Sequence, residues 1–541
     1  MQKVVVIGVD GATLDLMEPW MKEGKLPNFE KIKEKGVWGK LSSTIPPFSA
    51  PAWTSIITGC NPGKHGIYGF ERTDALELHL VTSRYRKTPA IWNFLTDIGM
   101  ASIIVNVPGT FPPEKINGIM ITGLLTPSPE SNFTYPPDIK KRLTEKDLGN
   151  FEFEQFWVED FPREFLAKHS PEKLAVHINK EMASHATVTI NLMKQFDWDF
   201  TMVVLRGTDT AQHFLWHKKD LLLLCYQKVD QLVGDMIAMF PESIFFIVSD
   251  HGFEAIEKIL YPDNVLYNAG LLKPAEPLFQ SPMNVFWSLV WKIVKFMLCH
   301  LPPQLIKQIP LIRKLLFSGS SKHAFIDFSK TKAFTTADGR GIQINYKKRF
   351  EKGIVDDEEY RKLCIDILKL FSDLRDPKTN EKVVGNVYQW NQVYGNDAIY
   401  PPDLILNLKK GVAAAEWIRT SNNFKSINRP HNSCLPYLFE EDSAGRTGDH
   451  APFGIFFAYG KNIRKRYQIT DISVQDLLPM IFATLGISSP NGVDGKLRED
   501  VFSEKPVVKI VEWIPYSSLK SVLSAAESKK IRELRNMFKS K

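Results

Sequence analysis

The sequence predicts an α/β fold built on a mostly parallel sheet. Three observations predict it. Short apolar, β-rich runs recur at 3–9 (KVVVIGV), 101–107 (ASIIVNV), 118–124 (GIMITGL), 200–207 (FTMVVLRG) and 243–250 (SIFFIVSD). Such unbroken runs suit strands buried on both faces. Helical stretches separate several of them, notably 172–195 and 219–240, and this alternation is that of a parallel sheet covered by helices. Asp10, Asp209 and Asp250 fall at or just beyond the ends of these runs, where open α/β sheets place their ligands.

The first strand, 3–9, ends at Asp10-Gly11. A helix is expected over 25–35, from near Pro27. Another is expected over 52–58, just after Pro51 and ended by Gly59 and Pro62. The rhythm breaks after Phe253. Residues 283–301, MNVFWSLVWKIVKFMLCHL, are very apolar, with Asn284, Ser288, Lys292, Lys295 and Cys299 at helical spacing. That is one narrow polar stripe on a broadly apolar helix. Its two central lysines would each cost about 2.5–3.5 kcal/mol at a bilayer centre, which argues against a membrane span. Residues 256–325 are therefore read as a helical insertion over the site mouth, either a cap on the core or a lid that meets lipid. Strands resume with GIQINY inside 331–346, DLILNL (403–408) and GIFFAYG (454–460). Residues 471–486, DISVQDLLPMIFATLG, read as a late amphipathic helix ended by Gly486. The expected organisation is two core parts, 1–255 and 326–505, the insertion 256–325, and a basic tail 506–541 that is helix-prone over 526–541.

The chain has 541 residues, 44% of them apolar, so a large core is available and disorder is not expected. Net charge is +7. That mild excess suits anionic substrates but is no nucleic-acid signature, and no nucleic-acid partner is expected. Cys60, Cys225, Cys299, Cys364 and Cys434 are odd in number and widely spaced, without a CxxC. This speaks against a disulfide framework or a cysteine-zinc site and suits a reducing compartment. The opening MQKVVVIGVDG reads as a strand rather than a secretory signal. A cytoplasmic location is expected, with 283–301 as the candidate peripheral contact with a membrane. The oligomeric state stays open.

Seven residues form a constellation: Asp10, Ser49, Asp209, His213, Asp250, His251 and His450. Carboxylates and imidazoles are what a divalent metal needs. Two such metals can hold the attacking and leaving oxygens of an in-line displacement at phosphorus. Asp209 and His213, four apart, can share one side of a helical turn. Asp250 and His251, adjacent at a strand end, are expected to point to opposite faces, with Gly252 turning the backbone sharply. Asp449, beside His450, is a candidate support rather than a ligand. Ser49 lies two residues before Pro51, at the mouth of a helix whose free N–H groups favour an anion. Ser42, Ser43, Thr44, Thr54 and Ser55 are competing hydroxyls. His65 is a candidate support for the site; the other histidines have no assigned place.

The segments GVDG, SAPAWTSIITGCNPGKHGI, DTAQH, SDHGF, GDHAPFG and DISVQDLLPMIFATLG, in that order, resemble the alkaline phosphatase superfamily. Within it they resemble the type I phosphodiesterase/nucleotide pyrophosphatase branch. The resemblance spans about 1–255 and 325–500. It implies a three-layer α/β/α sandwich with the helical cap inserted. It implies one divalent metal on Asp10, Ser49, Asp250 and His251 and a second on Asp209, His213 and His450; the Asp/His mix itself suits Zn²⁺, with Mn²⁺ as the alternative because affinity order alone does not decide loading in cells. The implied catalytic residue is Ser49, which attacks phosphorus to give a covalent phospho-enzyme that water then hydrolyses. The expected substrate is a small-molecule or lipid-linked phosphoester. Many members carry an Asn three residues past the nucleophile; this chain has Ala52. Lys64 or Arg340, backbone N–H groups or the metals must then steady that phosphate oxygen. No paired aromatic motif for a base slot is apparent. Trp53 stands where a sulfatase would carry Arg, which argues against that branch. A phosphoglycerate mutase-like phosphomutase, a phosphomonoesterase, and a non-catalytic phosphate- or membrane-binding relative are the other readings.

Overall fold

The computed structural model describes residues 2–76, 79–144, 147–153, 165–166, 168–274, 326–336, 338–414 and 446–511. The first strands are β1 (Val4–Val9), β2 (Val37–Ser42), β3 (Ser102–Val107), β4 (Gly118–Thr122), β5 (Thr134–Tyr135), β6 (Phe200–Leu205) and β7 (Ile244–Val248). Then come β8 (Gly252–Ala255), β9 (Lys258–Leu260), β10 (Ala333–Thr335), β11 (Gly341–Ile344), β12 (Val384–Gln389), β13 (Leu404–Leu408), β14 (Val412–Ala414) and β15 (Gly448–Ala451). The last two are β16 (Phe453–Tyr459) and β17 (Tyr467–Ser473).

Nine strands make the central sheet, ordered β17-β2-β16-β7-β1-β6-β3-β4-β5. The pairs β17–β2, β7–β1, β1–β6, β6–β3 and β3–β4 are parallel. Strand β16 runs antiparallel to both neighbours, and β5 to β4. Side chains of β1 alternate between two cores. Val5, Ile7 and Val9 join one, with the long helices Pro171–Gln195 and Lys219–Met239. Val4 and Val6 join the other, with Trp53, Ile56 and Leu477. This is the α/β/α layering that two-sided burial of parallel strands demands.

A single glycine lets the second layer reach the site. A Cβ on Gly8 would lie 2.4 Å from the Trp53 ring. Without it, the helix Ser49–Thr58 packs Trp53 against β1, fully buried.

Residues 326–412 do not extend the central sheet. Strands β10-β11-β13-β12 form a separate antiparallel sheet. The helix Asp357–Ser372 supplies Leu363, Ile367 and Phe371 to its core. Leu260, Val265 and Leu266 join that core too, so the described start of the expected insertion packs on this second sheet. The segment 283–301 and the tail 526–541 lie outside the described residues. Among those described, no helix is long and apolar enough to cross a membrane.

Two elements differ from expectation. The helix expected over 52–58 begins at Ser49, because Pro51 is tolerated within a first turn that needs no N–H from it. The helix expected over 471–486 runs only over Leu477–Thr484. Its first residues continue the edge strand β17 to Ser473, where pairing with β2 outweighs helical periodicity.

Gly8→Ala should destabilise the protein by about 1–3 kcal/mol, the usual scale of overpacking. Urea unfolding measures this, and an unchanged midpoint would show that Trp53 does not press on β1.

Candidate active site

The seven candidate side chains come together at one edge of the central sheet. Asp10 directly follows β1. Asp209 and His213 lie on the helix Gly207–Leu215, which follows β6. Asp250 and His251 follow β7 by two and three residues. His450 sits on β15, which pairs antiparallel with β8 and sets His450 opposite Phe253. Ser49 opens its helix with Phe48 as N-cap. Asp10, Asp250 and His251 are fully buried; Ser49, Asp209 and His450 are nearly so.

The atoms fall into two triangles. In the first, His213 Nε2 and His450 Nε2 are 3.1 Å apart, and each lies 3.4 Å from Asp209 Oδ1. In the second, His251 Nε2 is 3.2 Å from Asp250 Oδ2, 3.6 Å from Asp10 Oδ1 and 3.1 Å from Ser49 Oγ. His213 Nδ1 donates to the Gly448 carbonyl, and His251 Nδ1 to the Gly252 carbonyl, each at 3.0 Å. Those bonds fix the tautomers. The Nε2 atoms of His213 and His251 therefore carry lone pairs and face carboxylate oxygens that also carry lone pairs. Arg446 Nη2 also lies 3.1 Å from His213 Nδ1; since a carbonyl can only accept, that nitrogen's proton belongs to Gly448. Asp10 Oδ1, Asp209 Oδ1 and Asp250 Oδ2 are buried without a hydrogen-bond partner. Acceptors aimed at acceptors in a dry site need a metal ion or a proton between them.

The rest of each carboxylate is bound by protein. Asp10 Oδ2 accepts from Trp53 Nε1 at 3.0 Å and Arg206 Nε at 3.3 Å. Asp209 Oδ2 accepts from Arg206 Nη2 at 3.1 Å. Asp250 Oδ1 accepts from the Gly11 N–H at 3.3 Å. Burial, then the Asp250 and Asp209 charges, push Asp10 well above the usual carboxylate range. Burial and Asp209 push Asp250 up to about 7. Burial also pushes Asp209 up, but the neighbouring His213 and His450 and the Arg206 charge outweigh it and hold Asp209 well below. Burial and the neighbouring His251 keep His450 neutral.

Three sets of ligand-type atoms lie within 4.8 Å of one another: Asp10–Asp250–His251, Asp209–His251–His450 and His213–Asp449–His450. The last is not a metal set. Both Asp449 oxygens are taken, by Arg340 Nη2 at 2.7 Å and Arg446 Nη2 at 3.0 Å. These arginines hold Asp449 far below the usual carboxylate range against its burial.

Several expectations are corrected. Asp250 and His251 do not point to opposite faces; both lie past the end of β7, off the pleat, and converge on one triangle. Gly252 makes no sharp turn. It sits in β8, where a Cβ would lie 2.1 Å from the Phe453 carbonyl oxygen, so it permits close packing. Lys64 pairs with Asp494 beyond the far end of the nucleophile helix, and Arg340 is committed to Asp449. His65 is likewise remote: its Nε2 faces Ser55 Oγ at 3.1 Å, and burial pulls it down to about 3.

The structure adds residues that sequence reading passed over. Arg206 and Trp53 bind Asp10. The Phe253 ring lies 4.7 Å from His213 and 5.3 Å from His450. Phe48 packs 5.0 Å from Phe70 and 5.5 Å from His450, a pair of partly exposed rings beside Ser49. The one signal for Arg206 was a charge closing the apolar run FTMVVLRG, three residues before a candidate ligand.

The model of the type I phosphodiesterase/nucleotide pyrophosphatase family matches residues 4–413. Among solved structures, human ectonucleotide pyrophosphatase/phosphodiesterase 5 aligns with a TM-score of 0.51 at 14% identity, over 93% of this chain and 100% of that one. A murine ectonucleotide pyrophosphatase/phosphodiesterase 5, an inactive form in complex with AMP, aligns at 0.51 and 13%, with the same coverage. No curated protein matches the sequence. At such low identity the solved structures speak for the fold, and the family match speaks for the chemistry. The chain belongs to the type I phosphodiesterase/nucleotide pyrophosphatase family of the alkaline phosphatase superfamily, hydrolases of phosphoric ester bonds.

Proposed function

We propose that this enzyme cleaves phosphodiesters with Ser49 as nucleophile and two divalent metals in its buried triangles. One observation carries the reading: lone-pair nitrogens and unpartnered carboxylate oxygens face one another beside a serine hydroxyl. Asp10, Ser49, Asp250 and His251 would hold one metal, and Asp209, His213 and His450 the other. Zn²⁺ suits this donor set best, and Mn²⁺ suits it as well. When bound, such a pair lowers the pKa of the serine hydroxyl and offsets charge on the phosphoryl oxygens.

The chain's own residues do the rest. Ser49 Oγ attacks phosphorus; the bond to the leaving oxygen breaks, and the phosphoryl group stays on Ser49 until water releases it. His251 is not the base for this step, because the lone pair that meets Ser49 is the one a metal would take. The N–H groups of Ser49 and Ala50 have no intrahelical acceptor, and Pro51 has no N–H. They are the donors that would steady a phosphoryl oxygen in place of the side chain missing at Ala52.

The proposed substrate is a nucleotide-type or lipid-linked diester. An apolar substituent is favoured by the 283–301 sequence and by the Phe48–Phe70 pair at the mouth. The proposed location is the cytoplasm, with peripheral contact to a membrane, and rests on the cysteine pattern and the 283–301 sequence.

Metal-loaded protein should hydrolyse bis-p-nitrophenyl phosphate faster than p-nitrophenyl phosphate. Ser49→Ala should lose about a thousandfold or more in kcat while keeping its fold. Monoester preference would move the reading to a phosphatase or mutase. Turnover of neither, with metal bound, would contradict it. Rapid acid quench during turnover should leave a phosphoryl adduct on the Ser49 peptide, found by mass spectrometry.

A pH dependence follows for the metal-free protein. Asp250 is held at about 7, against about 3.9 in an unfolded chain. Between those values the unfolded state has lost its proton and the native state keeps it. Stability should therefore fall as pH rises from about 4 to about 7, by roughly 4 kcal/mol from this group. Asp10 acts in the same direction. Denaturant unfolding of metal-free wild type and Asp250→Asn at several pH values measures it; parallel profiles would refute the assignment.

A further inference from the structure

Asp10 and Asp209 belong to different triangles, yet they share one protein cation. Arg206 closes β6 and caps the helix Gly207–Leu215, and only 7% of it is exposed. Its Nε donates to Asp10 Oδ2 and its Nη2 to Asp209 Oδ2. On both carboxylates the guanidinium binds Oδ2, while Oδ1 faces the histidines. Trp53 Nε1 reinforces this choice at Asp10 alone. A planar guanidinium fixes two acceptors relative to each other, which a flexible ammonium cannot do.

We propose that Arg206 is a positioning residue common to both metal subsets. By holding the outer oxygens of Asp10 and Asp209, it presents their inner oxygens to the two metals at once and couples the loading of one to the other. The backbone argues the same way. The Thr208 hydroxyl donates to the Asp10 carbonyl at 2.5 Å, and Gln212 Nε2 to the Gly11 carbonyl at 2.8 Å. The first turn of the Asp209 helix is thus locked to the end of β1, with Arg206 as the charged element of that lock. The inference rests on the two-metal reading above.

The test is calorimetric titration with Mn²⁺ of full-length wild type, Arg206→Met, Arg206→Lys and Trp53→Phe, with the fold of each metal-free protein followed by circular dichroism. Wild type should take up two equivalents. Arg206→Met should weaken both binding steps by about 10–100-fold, the usual effect of losing a residue that orients ligands. Trp53→Phe should weaken one step only. Arg206→Lys keeps the charge without the fork and should recover part of the loss. If Arg206→Met does not fold, Arg206→Lys carries the test and should still weaken both steps. The electron paramagnetic resonance spectrum should show a spin-coupled Mn²⁺ pair in wild type and isolated ions in the arginine variants at matched loading. Unchanged or tighter binding in both arginine variants, or weakening of a single step, would overturn the proposal. Absence of metal uptake by wild type would instead overturn the two-metal reading, and this inference with it.

Discussion

Three carboxylates buried in one place set the problem that the rest of the structure solves. Asp10, Asp209 and Asp250 are each 3% exposed or less. Like charges in a dry interior are strongly unfavourable. Among the described residues they are met by the Arg206 guanidinium, the Trp53 indole N–H, the Gly11 backbone N–H and the Ser249 hydroxyl. That leaves one oxygen of each carboxylate without a hydrogen-bond partner. His213 and His251 cannot complete the set, because both are tautomerically fixed to present lone pairs. The site is balanced when metal ions, or in their place protons, lie among these oxygens.

The sheet order explains how residues so far apart in sequence meet. Strands β2, β16, β7, β1 and β6 are consecutive neighbours. Strands β7, β1 and β6 are parallel, so the residues after them emerge at one edge. Strand β16 is antiparallel, so its beginning lies at that same edge, and His450 enters just ahead of it. Strand β2 is antiparallel to β16 and ends there too, seven residues before Ser49. Five neighbouring strands thus deliver every proposed ligand. Gly8 then lets the nucleophile helix sit close enough for Trp53 to reach Asp10.

Much of this was legible in the sequence. Strand-end aspartates need only a burial pattern and a count of residues to be found, and the Asp209/His213 spacing gives helical adjacency. What stayed hidden depends on contacts across long separations. Arg206 looked like the polar end of a strand; its role appears only when β1 and β6 pair. In the sequence, Trp53 marks only the place where a sulfatase would carry Arg; it lies in the core, and its indole N–H reaches Asp10 because Gly8 is small. The late helix was misjudged because Asp471 to Ser473 fit a helical pattern, while β2 was free to pair with Ile472 and Ser473. The separate sheet of β10 to β13 could not be distinguished from core strands, since both consist of short apolar runs. Phe48 and Phe70 carry no motif, and only folding sets them beside Ser49.

The most direct test is a crystal structure of the metal-loaded protein with anomalous diffraction recorded at the metal edge. Two peaks are expected, one within coordination distance of Asp10, Asp250, His251 and Ser49, the other of Asp209, His213 and His450. A single peak, none, or metal held elsewhere would contradict the account.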